Sequence, residues 1–496
     1  MAYIGLDVGT TGCKATVVDQ MGQMYTQEYA EYDLQFPAPG HVELDPRVVW
    51  DGVKHVLRSV ASAYDGEITA LSIASFGEAV AMLDKDGQVL GPSIFYTDVR
   101  GYDSVSILME KLDRAALERR TGMPVNGMYT LMKLIWQQNH QPEQLKKMHK
   151  MLPFGGFIGY CLTGEAGVDQ SLASRMLMFD QQTLDWDSEV LDTFHINRDW
   201  LPRFVPAGQV VGQILPSVAA ELGLSPKMIV VSGVHDQIAA ALGAGALHPG
   251  QAEDGIGGAE CIAAVLPDGV DVTKLHPHNI CKEPHAVPGE ALALIFNSTA
   301  GASLKWYRDT FETELLMRDK KNAYNILNES LSDSPSPLLF LPYLASTGTP
   351  YMDGSAKGMI TGLALGSTRA DLYRAIIEGM NYEMRFNLEL LAECGMRYDV
   401  LTAVGGGASS DKVLQIKADI YGCPIRTLRT PQSGTVGLSM LCGWAEGHFA
   451  NLDDAAKSII QTKSLIEPST KHKAQYDDKY QQYKRMYQAS KWIAGE

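Results

Sequence analysis

Tyr3-Ile4-Gly5-Leu6-Asp7-Val8-Gly9-Thr10-Thr11-Gly12-Cys13-Lys14-Ala15-Thr16-Val17-Val18 is the stretch whose reading decides the fold. An apolar run ends at Asp7-Val8, a Gly/Thr turn follows, and a second apolar run begins at Lys14. The spacing predicts a strand over 3–8, a tight turn, and a strand over 14–18. Asp19-Gln20-Met21-Gly22 then supplies a turn before a third strand. Three strands in succession make a β-meander, not a strand–helix–strand opening. Two readings of the turn stand side by side. Its backbone N–H groups, the hydroxyls of Thr10 and Thr11 and the charge of Lys14 suit an anion such as phosphate. Asp7 at the strand end suits a hydrated Mg2+, which takes one or two carboxylates together with phosphate oxygens and water. The plainer reading is a tight hairpin with polar turn residues. No GxxxxGK[ST] occurs and no helix follows directly, so the turn is not a Walker loop.

The pattern returns later in the chain. With Gly9 set on Gly257, Val8-Gly9-Thr10-Thr11-Gly12-Cys13 lies over Ile256-Gly257-Gly258-Ala259-Glu260-Cys261, and both copies run into a second turn, at 19–22 and 267–269. A duplicated domain explains this, and chance likeness of two Gly hairpins is the alternative. Pro249-Gly250 marks a boundary just before the second copy. The chain has 496 residues, more than the roughly 250–300 at which single cores stop growing. The expected division is 1–247, 248–450 and a helical tail over 451–496.

Strand-like and helix-like segments alternate throughout, which predicts an α/β fold. Asp45-Pro46 opens the first clear helix, with Asp45 as N-cap and Pro46 in the first helical position. Further helices are expected over 103–119, 131–139, 213–223, 236–247, 369–393 and 410–421. Further strands are expected over 68–74, 79–83, 228–232, 338–342 and 400–404. Residues 477–492 read as a surface-packed terminal helix.

Composition narrows the function. Apolar residues make up 45% and charged residues 20%, as in an ordinary soluble globular protein. The net charge of −16 excludes a nucleic-acid surface, which needs clustered Lys and Arg. It leaves room for a single nucleotide. Seven Cys with no CxxC pair exclude a disulfide framework and a zinc knuckle. The opening residues do not read as a secretory signal, and no run approaches the ~18 apolar residues of a membrane span. A cytoplasmic protein without nucleic-acid or membrane partners is expected.

Two more segments suit chemistry. In Val230-Val231-Ser232-Gly233-Val234-His235-Asp236-Gln237, Asp236 falls where a strand ends and a helix begins, the place where α/β proteins bind ligands. It is either a catalytic carboxylate or an N-cap, and His235 reads as a packed or capping residue. Val404-Gly405-Gly406-Gly407-Ala408-Ser409-Ser410 again joins a strand to a helix. It is either a bare platform for a nucleobase and ribose or a plain β–α turn.

With these segments on the page, the chain resembles the FGGY family of carbohydrate kinases, relatives of xylulokinase, gluconokinase and glycerol kinase, over about residues 3–450. Gly358-Met359-Ile360-Thr361-Gly362-Leu363 followed by Asp371-Leu372-Tyr373-Arg374-Ala375-Ile376-Ile377-Glu378 fits the family's C-terminal signature. Thr130–His140 resembles the N-terminal signature, with Lys133 and Trp136 in place and a departure at Gln137. The resemblance implies two RNase H-like, actin-like ATPase domains with the active site in the cleft between them. The first would bind sugar and carry the catalytic group, the second the nucleotide.

It also implies roles. Asp7, Gly9, Thr10 and Thr11 fall on one phosphate loop, with Lys14 beside it, and Gly257 and Gly258 on another. Gly405, Gly406, Gly407 and Ala408 fall on the adenosine motif, and Asp236 on the catalytic Asp. Gln237, Gly77, Glu78, Asp98 and Arg100 fall on the sugar pocket. ATP and Mg2+ are the implied cofactors, and a small sugar or polyol the implied acceptor, with a homodimer as the expected assembly. Besides Gln137, two features depart from the family. The second loop has Gly258-Ala259 where hydroxyl residues are usual, and a backbone adapted to glycine at 258, with positive φ, would reject Thr. Glu78 stands where xylulokinases carry His. Its carboxylate accepts sugar hydroxyls and repels an aldonate, with Arg100 as an offsetting charge. A ketose such as xylulose, or a similar pentulose or hexulose, is therefore the expected acceptor, with gluconate, a polyol, or binding without transfer as alternatives.

Overall fold

The computed structural model describes every residue except Pro431 and Glu496. It divides into two compact units, and neither is continuous in sequence. The first comprises 1–243, 281–292 and 432–460, and the second 244–280, 293–431 and 461–496. The cuts differ from the expected division at 247/248 and 450/451. The helices Ser433–Ala445 and Leu452–Ile459 belong to the first unit, and the tail from 461 belongs to the second.

In the first unit β1 (Ala2–Val8), β2 (Gly12–Asp19) and β3 (Met24–Glu31) form the predicted antiparallel meander. β4 (Ile68–Ser75) joins β1 in parallel, β5 (Val210–Gln213) is the far edge, and β6 (Ile229–Val231) lies parallel to β4, giving the order β5-β6-β4-β1-β2-β3. Side chains alternate between the faces of a strand. Ile4, Leu6 and Val8 join a core with Val49, Val53 and Val56 of the helix Pro46–Ser62. The Asp45 side chain caps that helix, accepting from Arg47 N at 3.0 Å. Each such buried aliphatic side chain contributes about 1.5–3 kcal/mol. On the alternate positions, Gly5 lies so close to the helix Ser433–Ala445 that a Cβ would come within 2.5 Å of the Thr435 carbonyl. Asp7 is next in that row.

The second unit contains β7 (Gln251–Ile256), β8 (Glu260–Val265), β9 (Ala291–Asn297), β10 (Val400–Val404), β11 (Ile425–Leu428) and β12 (Thr462–Ile466), in the order β9-β8-β7-β10-β11-β12. β7 is antiparallel to β8 and parallel to β10, and β10 is parallel to β11. An antiparallel hairpin followed by two parallel strands recurs in both units, so the two Gly hairpins occupy equivalent places. They differ in length by one residue. Val8 pairs with Cys13, whereas Ile256 pairs with Glu260. Each unit is mixed α/β, as the alternation of segments predicts, in the RNase H-like arrangement that the resemblance implies.

The helix Arg369–Glu393 has the expected bounds, closed at its start by a capping box between Thr368 and Asp371. The expected single helix over 103–119 is two, Ser104–Lys111 and Arg114–Thr121, because Asp113 caps the second by accepting from Ala116 N at 2.7 Å. The tail is not a surface helix. Its helices Lys473–Tyr483 and Met486–Ala494 bury Tyr476, Tyr480 and Tyr483, and Tyr483 Oη donates to Glu383 at 2.6 Å. Among the described residues no helix is long and apolar enough to cross a membrane.

Candidate active site

The first hairpin turn is fastened from behind. Gly9 N donates to Gly12 O at 2.9 Å, and Tyr32 Oη donates to Gly9 O at 2.6 Å. Tyr32 N and Tyr29 Oη both reach Thr11 O, at 3.1 and 3.3 Å. The carbonyls are thus engaged, while Thr11 is exposed and Thr10 partly so. Asp7 and Lys14 are cross-strand partners, which places them on one face. Lys14 Nζ donates to Gln432 Oε1 at 2.6 Å. Burial pushes the Asp7 carboxyl up to about 6; Lys14 opposes this and the Asp236 charge adds to it.

Asp236 starts the helix Asp236–Ala244, just past the carboxyl end of β6. Its Oδ1 lies 3.2 Å from His235 Nε2 and accepts from Gln237 Nε2 at 3.2 Å. Its side chain is 25% exposed, and no described residue donates to Oδ2. Ser75 pairs with Val8 on one side and bridges to His235 on the other, so Asp7 and Asp236 lie at the same end of the sheet. Behind Asp236, His235 Nδ1 lies 2.8 Å from Glu283 Oε1, and Arg175 Nη1 lies 3.3 Å from Glu283 Oε2. Arg175 Nη2 pairs with Glu78. Neither Arg175 nor Glu283 stands out in the sequence. They are distant from each other and from Asp236 along the chain, with no motif around them, and only the fold joins them.

Glu78 has a left-handed backbone, φ 63°, an uncommon state for a non-glycine residue. Its carbonyl accepts from Thr130 Oγ1 at 2.9 Å and Lys133 Nζ at 3.3 Å. The expectation of an open acceptor at Glu78 is corrected: its carboxylate is buried and already paired with Arg175. Gly77 lies under the same Arg175, whose Cγ would be 2.7 Å from a Cβ there. Arg100 does not offset Glu78. It grips Asp98 through Nε at 2.9 Å and Nη2 at 2.6 Å, and Glu43 through Nη1 at 2.8 Å. Val42 N completes the shell of Asp98 at 2.5 Å, so this pair is closed on itself. Beside it burial pushes Lys133 down to about 7, with Asp98 opposing the fall.

In the second unit Gly257 N donates to Ala259 O at 2.9 Å, and Ala302 N donates to Gly258 O at 2.9 Å. Gly258 does not have positive φ, and nothing lies within 4 Å of a Cβ there, which corrects the expectation that Thr would clash. Glu260, the first residue after the turn of this second hairpin, has a charged partner. Lys417 Nζ is buried between Glu260 at 2.5 Å and Asp254 at 2.7 Å. The platform reading of the Gly405–Ala408 turn narrows. Cβ atoms on Gly405 and Gly407 would strike Ile256, at 2.8 and 2.2 Å, so their bareness serves packing. Gly406 alone of the three has open space, and Ala408 N donates to Gly405 O at 3.2 Å. In the signature helix Arg374 Nε pairs with Glu378 at 2.7 Å, and Glu378 holds Ser336 N at 3.0 Å.

The donor set fits Mg2+ as a companion of phosphate. Among the described residues no three His, Cys, Asp or Glu gather to cage a metal. Asp7 offers one carboxylate whose charge is poorly compensated, and a hydrated Mg2+ needs little more from protein.

Comparison with known proteins gives a consistent result. Residues 2–243 match the N-terminal domain of the FGGY family of carbohydrate kinases, and residues 272–446 match its C-terminal domain. The xylulose kinase of Staphylococcus epidermidis is 28% identical over 501 residues, covering 99% of this chain and 98% of that one. Among solved structures, ligand-bound xylulose kinase from Lactobacillus acidophilus superposes with TM-score 0.89 at 25% identity, covering 98% of each chain. Gluconate kinase from the same organism gives TM-score 0.88 at 25% identity, with the same coverage.

Proposed function

The chain belongs to the FGGY family of carbohydrate kinases, and from that premise we propose that its acceptor is a neutral ketose, xylulose or a similar pentulose or hexulose, with Asp236 as the base. As a member of the family it is an ATP-dependent phosphotransferase with an alcohol group as acceptor and uses Mg2+. The observation that carries the reading is Asp236, a partly exposed carboxylate at a strand end with Oδ2 unengaged. A sugar hydroxyl is a weak nucleophile, and phosphoryl transfer depends on positioning plus an Asp that takes the hydroxyl proton. Oδ2 takes that proton as the oxygen attacks the γ-phosphorus and ADP leaves.

We assign sugar binding and catalysis to the first unit and nucleotide binding to the second. Gln237, Glu78 and Gly77 border the acceptor, with Asp98 and Arg100 as a closed pair behind them. Thr10 and Thr11, with the turn at Gly9 and Lys14, meet phosphate, as do Gly257 and Gly258 in their own unit. Gly406, flanked by Gly405, Gly407 and Ala408, meets adenosine. Mg2+, when bound beside Asp7, would offset phosphate charge.

Charge supports a neutral acceptor. Glu78, Arg175, Glu283, His235 and Asp236 alternate in sign, and the cations among them are committed to carboxylates. An aldonate carboxylate would find no spare cation among them, and an unpaired buried charge is costly. Relatives named for xylulose favour the ketose, and the gluconate kinase likeness keeps gluconate as the rival. Seven cysteines with no CxxC pair suit a cytoplasmic setting, and light scattering checks the expected homodimer. The test of function is coupled ADP release across ketoses, polyols and gluconate. The expected result is kcat/KM for a pentulose or hexulose at least ~10-fold above gluconate. Gluconate as the best acceptor would overturn the ketose, and no release with any acceptor would overturn the assignment of transfer.

A further inference from the structure

Resting on Asp236 as the base, we propose that His235 and Glu283 are its positioning residues: an ion chain running Arg175–Glu283–His235–Asp236 holds Oδ1 and leaves Oδ2 to the acceptor hydroxyl. The distances are 3.3 Å from Arg175 Nη1 to Glu283 Oε2, 2.8 Å from Glu283 Oε1 to His235 Nδ1, and 3.2 Å from His235 Nε2 to Asp236 Oδ1. From Glu283 outward exposure rises, from 0% through 6% at His235 to 25% at Asp236, with Arg175 at 10% on the other side of Glu283. The buried Glu283 is the anchor and Asp236 is the working carboxylate.

The imidazole is fixed as well as charged. His235 N donates to Ser171 Oγ at 2.8 Å, and Ser171 Oγ donates to Asp169 Oδ2 at 2.6 Å. One residue earlier, Val234 O accepts from Ser75 N at 3.3 Å. The ring therefore hangs from backbone tied to two neighbouring elements. Its contact with Glu283 lies outside hydrogen-bond geometry, so charge joins the pair. The groups acting on His235 are Glu283 from the strand Cys281–Pro284, Arg175 after the helix Gln170–Ser174, and Asp236 beside it, with Asp169 behind Ser171. Burial lowers its proton affinity, Glu283 and Asp236 raise it by more, Arg175 opposes them, and the net direction is up. The Glu283 carboxyl is held below its ordinary range by His235 and Arg175 in spite of burial.

Such a cation matters because a carboxylate turns freely about its last torsion, which is broad and two-fold. With Oδ1 held by His235 and Gln237, Asp236 presents one oxygen in one direction. A displacement on the order of 1 Å in such a group can cost 10²-fold in rate. A buried ion pair with no part in positioning would show in stability alone.

The experiment compares wild type with His235→Gln, His235→Ala and Glu283→Gln for kcat, both KM values, melting temperature and the pH dependence of kcat. Alongside, NMR of isotope-labelled histidine follows the ring titrations, with the His235 signal assigned by its loss in His235→Gln. His235→Ala lowers kcat by about 10–10²-fold with sugar and ATP KM within about threefold, and His235→Gln recovers part of the loss, since its amide can donate to Oδ1. The protonated ring is the working form, so wild-type kcat falls as pH rises through the His235 titration. Removing the Glu283 charge moves both that limb and the ring titration to lower pH. Folded variants with wild-type kcat and an unmoved pH profile overturn the inference and leave the kinase reading standing. Wild type that releases no ADP with any acceptor contradicts the kinase reading, and the inference falls with it.

Discussion

At Asp7 the demands of stability and chemistry oppose each other. Burial raises its carboxyl from 3.8 to about 6. Near pH 4 and below, Asp7 is largely protonated in the folded state and carries little cost; as pH rises through about 6, the folded protein must ionise it against burial and stability falls. A shift of this size, with the opposing pull of Lys14 already included, corresponds to about 3 kcal/mol. Asp7→Asn should therefore raise the melting temperature near pH 8, by about 1–3 kcal/mol in stability, and change it little near pH 4. The same variant should lose most Mg·ATP-dependent turnover while sugar binding persists. Thermal melts at the two pH values with steady-state kinetics check both halves. Gly258 is the contrasting residue. With open space about its Cβ and no positive φ, Gly258→Thr should fold with stability within about 0.5 kcal/mol of wild type. Its hydroxyl should lower the KM for ATP, by about two- to tenfold, and a raised KM would show that glycine is required there. The placement of Asp7 and Asp236, each at a strand end beside a turn, is legible in sequence. Arg175 and Glu283 are not, because their meaning comes only from what faces them.

Among the elements, the helices Asp236–Ala244 and Ser433–Ala445 set the place of Asp236. They cross so closely that a Cβ on Gly437 would come to 2.2 Å from Ala239 O, and one on Gly243 to 1.9 Å from Ser433 O. Gly437→Ala must push the helices apart, at a cost of about 1–3 kcal/mol. Because Asp236 opens one of them, kcat should fall with stability. Circular dichroism melts and kinetics on one preparation check this, and unchanged values of both would show that the crossing is loose. The long signature helix is legible to its ends through its cap and periodicity. The crossing is not, because its two helices lie some two hundred residues apart in sequence and small residues give no periodic signal. The broken helix at 103–119 shows the limit of periodicity: apolar spacing carried across a cap at Asp113 that competed with it.

At the scale of the molecule, the duplicated hairpin was legible because each copy carries its own Gly turn, while the division of the chain was not. Helices after 432 return to the first unit, and tyrosines of the tail fill the core of the second. A helix that looks polar because it is rich in Tyr buries ring faces while its hydroxyls find carboxylates, as Tyr483 and Tyr343 do at Glu383. Removing residues 472–496 should therefore unfold the second unit or leave it aggregated, and a soluble, cooperatively melting truncation would contradict that. The central claim is that this kinase transfers phosphate to a neutral sugar with Asp236 taking the hydroxyl proton. Its most direct test is Asp236→Asn, assayed for kcat, ATP affinity by calorimetry and melting temperature on one preparation with the best ketose. The account predicts kcat lower by about 10²–10⁴-fold, with ATP affinity and melting temperature close to wild type. A correctly folded Asn variant with near-normal kcat would contradict it.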